Sequence, residues 1–421
     1  EKALDYFEQM QQCYGLLPDA LTFFYALKAY KGIKFTYNVY AIHSMIITRG
    51  LDSELLVGNS LVSIYASFGF FTEAYGILNM ISVRDKASWT TLIEGCVKHK
   101  NNREAITCFK EMQEDGVFPD VVTFACMVKT CSNLKNIIKG KKWHAEIVLK
   151  GLERDMLIGH MLVNLYTTCG SLVDAREVFD KLPVKDVVSW NTLMAGYADH
   201  GLCMEALSCF SQMQDRNVSP DSCSFVCIMN ACGYIGMTEK GEEIHSEIEK
   251  VGLVECDPVV GNSLVDMYAR LGLHYIAHIM FDRLPIRSII TWNTLISGYT
   301  EDGCGERALD CFKQMQLEGM FPDGVTFVCA LKACGRIGAE ELGKEIHVEI
   351  ARKGLLEIDV TVGNALLDMY AKSGLLTQTQ EVFDKLPIHD TVTWNSLILS
   401  YVESGYCEKA LGYFRQMQEE H

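Results

Sequence analysis

The sequence of 421 residues lacks several features that would place it in a common functional class. No apolar run is long enough to span a membrane, so we expect no membrane partner. Positive charge is in the minority, because the formal net charge is −16. A negative net charge does not suit a protein that binds nucleic-acid phosphates through its overall charge. Only local basic spots remain for this role, such as Lys139, Lys141 and Lys142.

Catalytic motifs are absent as well, since no nucleophile elbow, phosphate-binding loop or paired acid/base site stands out. Three tripeptides do match the His-x-Glu of zinc nucleobase deaminases: His144-Ala-Glu146, His245-Ser-Glu247 and His347-Val-Glu349. Such enzymes also need a Cys-x-x-Cys pair to hold the metal. No two cysteines of this chain are three residues apart. We therefore predict no enzymatic activity, no metal site and no cofactor.

The 17 cysteines suggest disulfides at first sight. Their positions recur inside helical patterns, as at Cys131, Cys232 and Cys334, which favours reduced core residues in an intracellular compartment. The chain starts and ends inside amphipathic helical patterns. We therefore expect a fragment whose targeting signal lies outside this sequence.

What the sequence does contain is a repeating helical hairpin, seen most clearly in Val187–Asp221, VVSWNTLMAGYADHGLCMEALSCFSQMQDRNVSPD. Apolar residues at i, i+3, i+4 and i+7, beginning with Trp190, predict a helix over about 188–198. Gly201 should break it, and a second periodic run begins at Ala206. Proline at 220 stops the second helix, and Asp221 stands where the next helix needs an N-cap.

This hairpin recurs along the whole chain in three types, standard, long and short, with lengths of 35, 35 or 36, and 31 residues. The predicted boundaries are 1–19 (partial, a second helix), 20–54 (long), 55–85 (short), 86–120 (standard), 121–155 (long), 156–186 (short), 187–221 (standard), 222–257 (long), 258–288 (short), 289–323 (standard), 324–359 (long), 360–390 (short) and 391–421 (partial standard).

The register of these units is tight. Every standard unit with a complete first helix has tryptophan at its fourth position: Trp89, Trp190, Trp292 and Trp394. Every long unit has histidine at its twenty-fourth position: His43, His144, His245 and His347. We expect the tryptophans to be buried against the next repeat, and the histidines to serve packing or interhelix hydrogen bonding.

These repeats predict an all-α fold, an α-solenoid superhelix of helix-turn-helix units. One hairpin cannot bury its apolar face alone, so neighbouring hairpins must stack. The first helices would then line an extended concave surface. Strands are not expected, because the apolar period is 3.6 throughout rather than 2.

The sequence also resembles a known family. Units that close in Pro-Asp and open in Val-x-Ser/Thr-Trp-Asn-Thr-Leu are similar to pentatricopeptide repeats, and the cycle of three types resembles the PLS subclass of plant organelle RNA-editing factors. Tetratricopeptide repeats are the nearest rival, but their tryptophan-glycine-tyrosine pattern is absent. The resemblance implies a protein that binds single-stranded RNA, one base per repeat.

In that family the fifth and last residues of a repeat read the base. Carried over to this chain, the pairs are Asn59 with Asp85, Thr90 with Asp120, His160 with Asp186, Asn191 with Asp221, Asn262 with Ser288, Asn293 with Asp323, and Asn364 with Asp390, and Asn395 opens a pair without its partner. The second residue of a repeat sandwiches the base, which selects Leu56, Ala87, Val188, Val259, Ile290, Thr361 and Val392.

The donor and acceptor chemistry agrees with this assignment. An ionised aspartate only accepts hydrogen bonds, which suits the N–H of uracil or guanine, whereas a serine such as Ser288 can donate to cytosine. In the family, asparagine at the fifth position favours pyrimidines and threonine favours purines. Aspartate before a helix is also a good N-cap. Asp155, Asp257 and Asp359 end long units, which the family code leaves largely unread, so capping must explain at least some of the aspartates.

The resemblance further implies that such an array, in a mitochondrion or chloroplast, directs a deaminase to a target cytidine for C-to-U editing. The deaminase would be a domain of the same chain or a recruited editing partner. The alternative, from another functional class, is a solenoid scaffold that binds a protein or peptide. The acidic net charge favours this alternative.

Overall fold

The computed structural model describes residues 4, 6–7, 9–10, 17–33, 37–81 and 83–420. The chain divides into two compact units, Glu1–Leu202 and Cys203–His421. Most of the predicted second helix in 1–19 lies outside the described residues.

The first unit consists of α-helices joined by short turns. They are α1 (Ala20–Ile33), α2 (Tyr37–Thr48), α3 (Leu55–Phe68), α4 (Phe71–Met80), α5 (Lys86–Lys98), α6 (Asn102–Glu114), α7 (Val121–Asn133), α8 (Ile137–Leu149), α9 (Met156–Thr168), α10 (Leu172–Lys181) and α11 (Val187–Asp199).

The second unit repeats the same plan. Its helices are α12 (Cys203–Asp215), α13 (Ser222–Ile235), α14 (Thr238–Val251), α15 (Leu253–Cys256), α16 (Pro258–Arg270), α17 (His274–Arg283), α18 (Ile289–Glu301), α19 (Gly305–Leu317), α20 (Gly324–Ile337), α21 (Glu340–Arg352), α22 (Leu355–Ile358), α23 (Val360–Lys372), α24 (Leu376–Lys385), α25 (Thr391–Glu403) and α26 (Cys407–Glu420).

The fold is all-α, and the described ranges contain no strand. Within each unit the first helices of successive hairpins pack on one another, as α7 packs on α9 and α20 on α23. The expected α-solenoid of helix-turn-helix repeats is therefore confirmed. The short α15 and α22 fill the extra residues near the ends of two long repeats.

Local sequence explains where the helices stop. Gly201, which follows α11, has φ of +75°, a left-handed conformation that glycine adopts without steric cost. Asn217, which follows α12, has φ of +56°, and asparagine is among the few other residues that tolerate this region. The second helix of this hairpin therefore ends before Pro220, as its sequence predicts.

The four tryptophans form part of the core and are fully buried. Three of them meet a phenylalanine edge to face: Phe179 with Trp190 at 4.5 Å between ring centroids, Phe281 with Trp292 at 4.4 Å, and Phe383 with Trp394 at 4.7 Å. Each phenylalanine lies on the second helix of the preceding repeat. Burial was predicted correctly, and these three ring contacts are made with the preceding repeat.

A glycine at the tenth position of three standard repeats, Gly95, Gly196 and Gly298, allows neighbouring first helices to approach closely. A Cβ on Gly95 of α5 would lie 2.6 Å from the Cβ of Ala66 on α3. A Cβ on Gly196 would lie 2.3 Å from Cγ2 of Thr167 on α9. Such distances are far inside van der Waals contact, so a larger residue would push the two repeats apart.

The four in-register histidines link each long repeat to the following short one. Their Nδ1 atoms lie within hydrogen-bond distance of tyrosine hydroxyls at 2.7 to 2.9 Å: His43 with Tyr65, His144 with Tyr166, His245 with Tyr268, and His347 with Tyr370. The interhelix hydrogen bonding expected from sequence is present. Burial lowers the pKa of each histidine and raises the pKa of Tyr166 and Tyr268 to about 12.

We expect Trp292→Ala to destabilise its neighbourhood by about 3–5 kcal/mol, the usual cost of removing a core aromatic residue. In a solenoid the loss should fall mainly on adjacent repeats. Limited proteolysis should then give new cuts within 258–360. Ile290→Ala, two residues away at a side chain that is 67% exposed, is the matched control and should give none. An unchanged digestion pattern for Trp292→Ala would contradict a structural role for the indole.

The four half-buried histidines predict a pH dependence of stability. Their folded-state pKa lies below the unfolded value of about 6.5, so their contribution is present above that value and is lost as the pH falls below it. His347→Gln retains a hydrogen-bonding group beside Tyr370 but does not titrate, so it should flatten the change in urea midpoint between about pH 5 and 7. The exposed His99→Gln is the control. Equal slopes for His347→Gln and the parent would show that His347 does not contribute.

Candidate functional site

The aspartates that close the standard and short repeats are N-caps of the following first helix. The carboxylate of Asp85 accepts from the backbone N–H of Ser88 at 2.8 Å, and Asp323 accepts from that of Thr326 at 2.9 Å. Asp120, Asp186, Asp221 and Asp390 cap their helices in the same way. The last-position candidates for base reading therefore also stabilise a helix start.

Four of the predicted pairs are in direct contact within one unit. The amide Nδ2 donates to the carboxylate in Asn59–Asp85 at 3.2 Å, in Asn293–Asp323 at 3.0 Å and in Asn364–Asp390 at 3.2 Å. His160 Nε2 lies 3.1 Å from Asp186 Oδ1. The two residues that the family pairs by sequence are thus neighbours in space, although they lie at opposite ends of the repeat sequence.

A hydroxyl that the sequence reasoning missed donates a hydrogen bond to the side-chain oxygen Oδ1 of the asparagine. Thr326 Oγ1 lies 2.6 Å from Asn293 Oδ1, Thr393 Oγ1 lies 2.7 Å from Asn364 Oδ1, and Ser88 Oγ occupies the same place beside Asn59. Because a carboxylate only accepts, Nδ2 must face the aspartate and Oδ1 must face the hydroxyl. This third residue of the following helix therefore fixes the orientation of the amide.

The same hydroxyl bridges two pairs that do not touch directly. Thr291 Oγ1 donates to Asn262 Oδ1 at 2.7 Å and lies 2.8 Å from Ser288 Oγ. Thr123 Oγ1 lies 3.0 Å from Thr90 Oγ1 and donates to Asp120 at 2.8 Å. The signal for these hydroxyls was present in sequence, since Asp or Ser is followed three residues later by Ser or Thr at every such junction.

Two predicted pairings remain, those that Asn191 and Asn395 open. Asn191 lies in the first compact unit, whereas Asp221 lies in the second, where it forms a capping box with Ser224. Asn395 is exposed on α25. Their pairing stays a prediction.

The hydrogen bonds also set the charge of the carboxylates. Partial burial opposes ionisation of Asp85 and Asp323, but bonds from the following helix and from the asparagine outweigh it and hold both pKa values below the usual range. At neutral pH these groups are ionised acceptors. In both residues every cap and pair bond goes to Oδ1. Oδ2 takes no part in those bonds.

The second residue of each repeat is exposed and mostly apolar. Val188, Val259, Ile290 and Val392 are 56 to 67% exposed, and Leu56 is 41% exposed. Ala87 and Thr361 are exposed as well. Sequence reasoning did not name Leu157, which holds this position in the repeat 156–186 and is 42% exposed. Exposed aliphatic groups beside polar ones provide surfaces for the faces of flat, apolar rings.

The second, fifth and last positions of a repeat line the same groove in two places. In the second unit, a groove of about 410 Å³ is lined by Ile290, Asn293, Asp323 and Val325. In the first unit, one of about 610 Å³ is lined by Leu56, Asn59 and Asp85 together with Lys28 and Lys31. Each groove offers apolar groups and an oriented polar pair, which is the usual make-up of a binding site for an aromatic heterocycle.

The long repeats are built differently at the fifth position. Their fifth residues are Phe24, Ala125, Val226 and Val328, none of which can hydrogen-bond a base edge. Asp155, Asp257 and Asp359 cap the next helix through its second residue, as the bonds to the backbone N–H of Leu157, Val259 and Thr361 show. Capping therefore accounts for these three aspartates, as the sequence required.

Other sequence candidates lie away from these grooves. Lys139, Lys141 and Lys142 are on α8, a second helix, and Lys141 forms an ion pair with Asp174 at 2.8 Å. The histidines of the His-x-Glu tripeptides face tyrosines, and no group of three His, Cys, Asp or Glu residues able to hold a metal occurs in the described ranges. All described cysteines are free. None of the described helices combines the length and apolar character needed to cross a membrane.

Comparisons with known proteins agree with the architecture. The PPR repeat family matches residues 84–133, 185–233 and 287–336, and a PPR repeat matches 392–421. A chloroplastic pentatricopeptide repeat-containing protein of Arabidopsis thaliana is 33% identical over 90% of this chain and 61% of its own length. A mitochondrial one is 31% identical over 96% of this chain and 58% of its own. The chain thus spans less than two thirds of these relatives.

Solved structures show the same fold. The pentatricopeptide repeat protein PPR10, in complex with an 18-nt psaJ RNA element, superposes with a TM-score of 0.76 at 16% identity, over 100% of this chain and 66% of that one. PPR10 from maize superposes with a TM-score of 0.55 over 99% of this chain and 71% of that one, again at 16% identity. From the repeat matches and the relatives together, the chain belongs to the pentatricopeptide repeat (PPR) family.

Proposed function

We propose that the chain binds single-stranded RNA in a sequence-specific manner, with one base read by each standard or short repeat. The observation that carries this proposal is the groove of Ile290, Asn293, Asp323 and Val325. Aliphatic side chains of successive repeats can sandwich a base there, while an oriented amide and an ionised carboxylate face its edge. A crystallised relative of the same fold, PPR10, is named as an RNA complex.

The proposed register runs parallel to the RNA, with N-terminal repeats at the 5′ end as in the family. From residue 55 onward the pairs give U, then G, then an unread base. His160 with Asp186 gives U or G, Asn191 with Asp221 gives U, and an unread base follows. Asn262 with Ser288 gives C, and Asn293 with Asp323 gives U. A further unread base, U from Asn364 with Asp390, and a pyrimidine at Asn395 complete the order.

The wider role is also a proposal. The cycle of standard, long and short repeats supports membership of the PLS subclass, and relatives named as chloroplastic or mitochondrial support a place in an organelle. In that setting the array would specify a site for RNA processing such as C-to-U editing. The deaminase would be a further domain or a partner protein.

Ser288→Asp provides the sharpest test of base reading. The change replaces a possible donor by an acceptor, so preference at that base should move from C towards U. The network beside Ser288 already exists with aspartate in the next repeat, where Asn293, Asp323 and Thr326 hold the same positions. The variant should therefore fold. An edge contact is worth about 1 kcal/mol, so the shift should be several-fold in affinity.

The matched experiment is the reverse exchange, Asp323→Ser, which should move preference at the following base from U towards C. Both aspartate and serine are good N-caps, so neither change should alter stability greatly. Binding of both variants and the parent is measured to RNAs that differ only at these two bases. If all three proteins rank the RNAs alike, these residues do not read bases.

The alternative function, a scaffold for proteins or peptides, makes a different prediction. Partners captured from an organelle extract by the tagged chain should be lost after ribonuclease treatment if RNA holds the complex together. Partners retained in equal amount after complete digestion would favour the scaffold. The acidic net charge of −16 is the observation that keeps this second candidate open.

A further inference from the structure

The ninth residue of the long repeats is a lysine in three cases, Lys28, Lys129 and Lys332, and asparagine in the fourth, Asn230. Each follows the exposed second residue of its helix by seven positions. Residues at i and i+7 lie on one face of an α-helix, two turns apart. The lysines of α1, α7 and α20 therefore share a face with the exposed second residue of their own repeat, and one of those residues, Val325, lines the groove of Asn293 and Asp323.

These three ammonium groups are exposed and lack an acidic partner. None of them has an ion pair or hydrogen bond to another described residue; Lys28 lies 5.9 Å from the ring centroid of Phe24. Cations on short-repeat first helices differ, because Arg270 pairs with Asp266 at 2.7 Å and Lys372 with Asp368 at 2.6 Å. The charge of these three lysines is thus not neutralised by an ion pair with a described residue.

The grooves that border long repeats in the first unit are correspondingly basic. One of about 550 Å³ is lined by Lys98, Lys100 and Lys129 with a single acid, Glu94, beside the exposed Val122 and Leu157. The groove of Asn59 and Asp85 includes Lys28 and Lys31. The groove of Asn293 in the second unit differs: it borders the long repeat only through Val325, and it has three acids, Asp266, Glu301 and Asp323, against one Arg270.

We propose that the three long repeats with a lysine at the ninth position bind the phosphate backbone of the RNA through that side chain. This inference rests on the RNA binding proposed above. The fifth residue of a long repeat is apolar and cannot recognise a base edge, whereas its lysine presents an unpaired cation on the same helical face. In a chain of net charge −16, such localised cations are the means by which an acidic solenoid can hold a polyanion.

The test compares salt dependence with base preference. Single-stranded RNA of the proposed base order and a scrambled RNA are titrated with the parent chain and with Lys129→Gln at several salt concentrations. Each neutralised phosphate contributes about 0.7 to the slope of log K against log salt for single strands. Lys129→Gln should make the slope less negative by about 0.7 and weaken binding of both RNAs about fourfold at 0.15 M salt. The ranking of the two RNAs should not change.

Two further variants sharpen the result. Asn230→Lys supplies the missing lysine of the third long repeat and should steepen the slope by about 0.7. Lys110→Gln removes an equal charge from an exposed position on the second helix α6 and should leave the slope near that of the parent.

The outcomes separate this inference from the proposed function. If the parent binds neither RNA, RNA binding itself is overturned. If the parent binds and Lys129→Gln has the parent's slope, or changes the slope no more than Lys110→Gln does, phosphate contact by the long repeats is overturned. A change in base ranking with an unchanged slope would likewise overturn it, since that result would make Lys129 a base reader.

Discussion

The carboxylate at each repeat junction is the interaction on which both folding and the proposed recognition depend. Asp323 begins α20 by accepting from Thr326, and through the same Oδ1 it accepts the amide of Asn293 from the preceding repeat. One oxygen therefore joins two successive hairpins. N-capping restricts this position to a few short polar side chains, chiefly Asp, Asn, Ser and Thr. Those side chains differ in donor and acceptor capacity, so the residues that can start a helix are also able to distinguish base edges.

Most of the architecture could be predicted because it depends on periodicity. A spacing of three and four identifies the buried face of each helix, and the register of Trp89, Trp190, Trp292 and Trp394 identifies one core position. The neighbour that fills the contact could not be predicted. A first helix packs against repeats on both sides, and sequence spacing does not distinguish them. The phenylalanines of the preceding second helices therefore became visible only in the structure.

The candidate site residues come from resemblance, and the contacts among them could be predicted only in part. Residue pairing carried over from the family named Asn293 and Asp323, but not Thr326, whose hydroxyl determines which end of the amide faces the carboxylate. Spacing indicates a cap, yet it does not indicate that the capping hydroxyl also reaches back to the previous repeat. Nor could sequence separate direct pairs from those bridged by Thr291 or Thr123. That distinction depends on side-chain reach across the junction.

The network also explains why alanine is a poor probe of base reading in this fold. Alanine at the junction would remove the cap, at a cost of about 1 kcal/mol, together with the partner of the asparagine amide. A loss of RNA affinity would then combine a disturbed helix start, a reoriented amide and a missing edge contact. Exchanges between Asp and Ser keep the capping oxygen and the neighbouring hydroxyl, and only the donor capacity of the side chain changes. Recognition can therefore be varied independently of stability only within the set of capping residues.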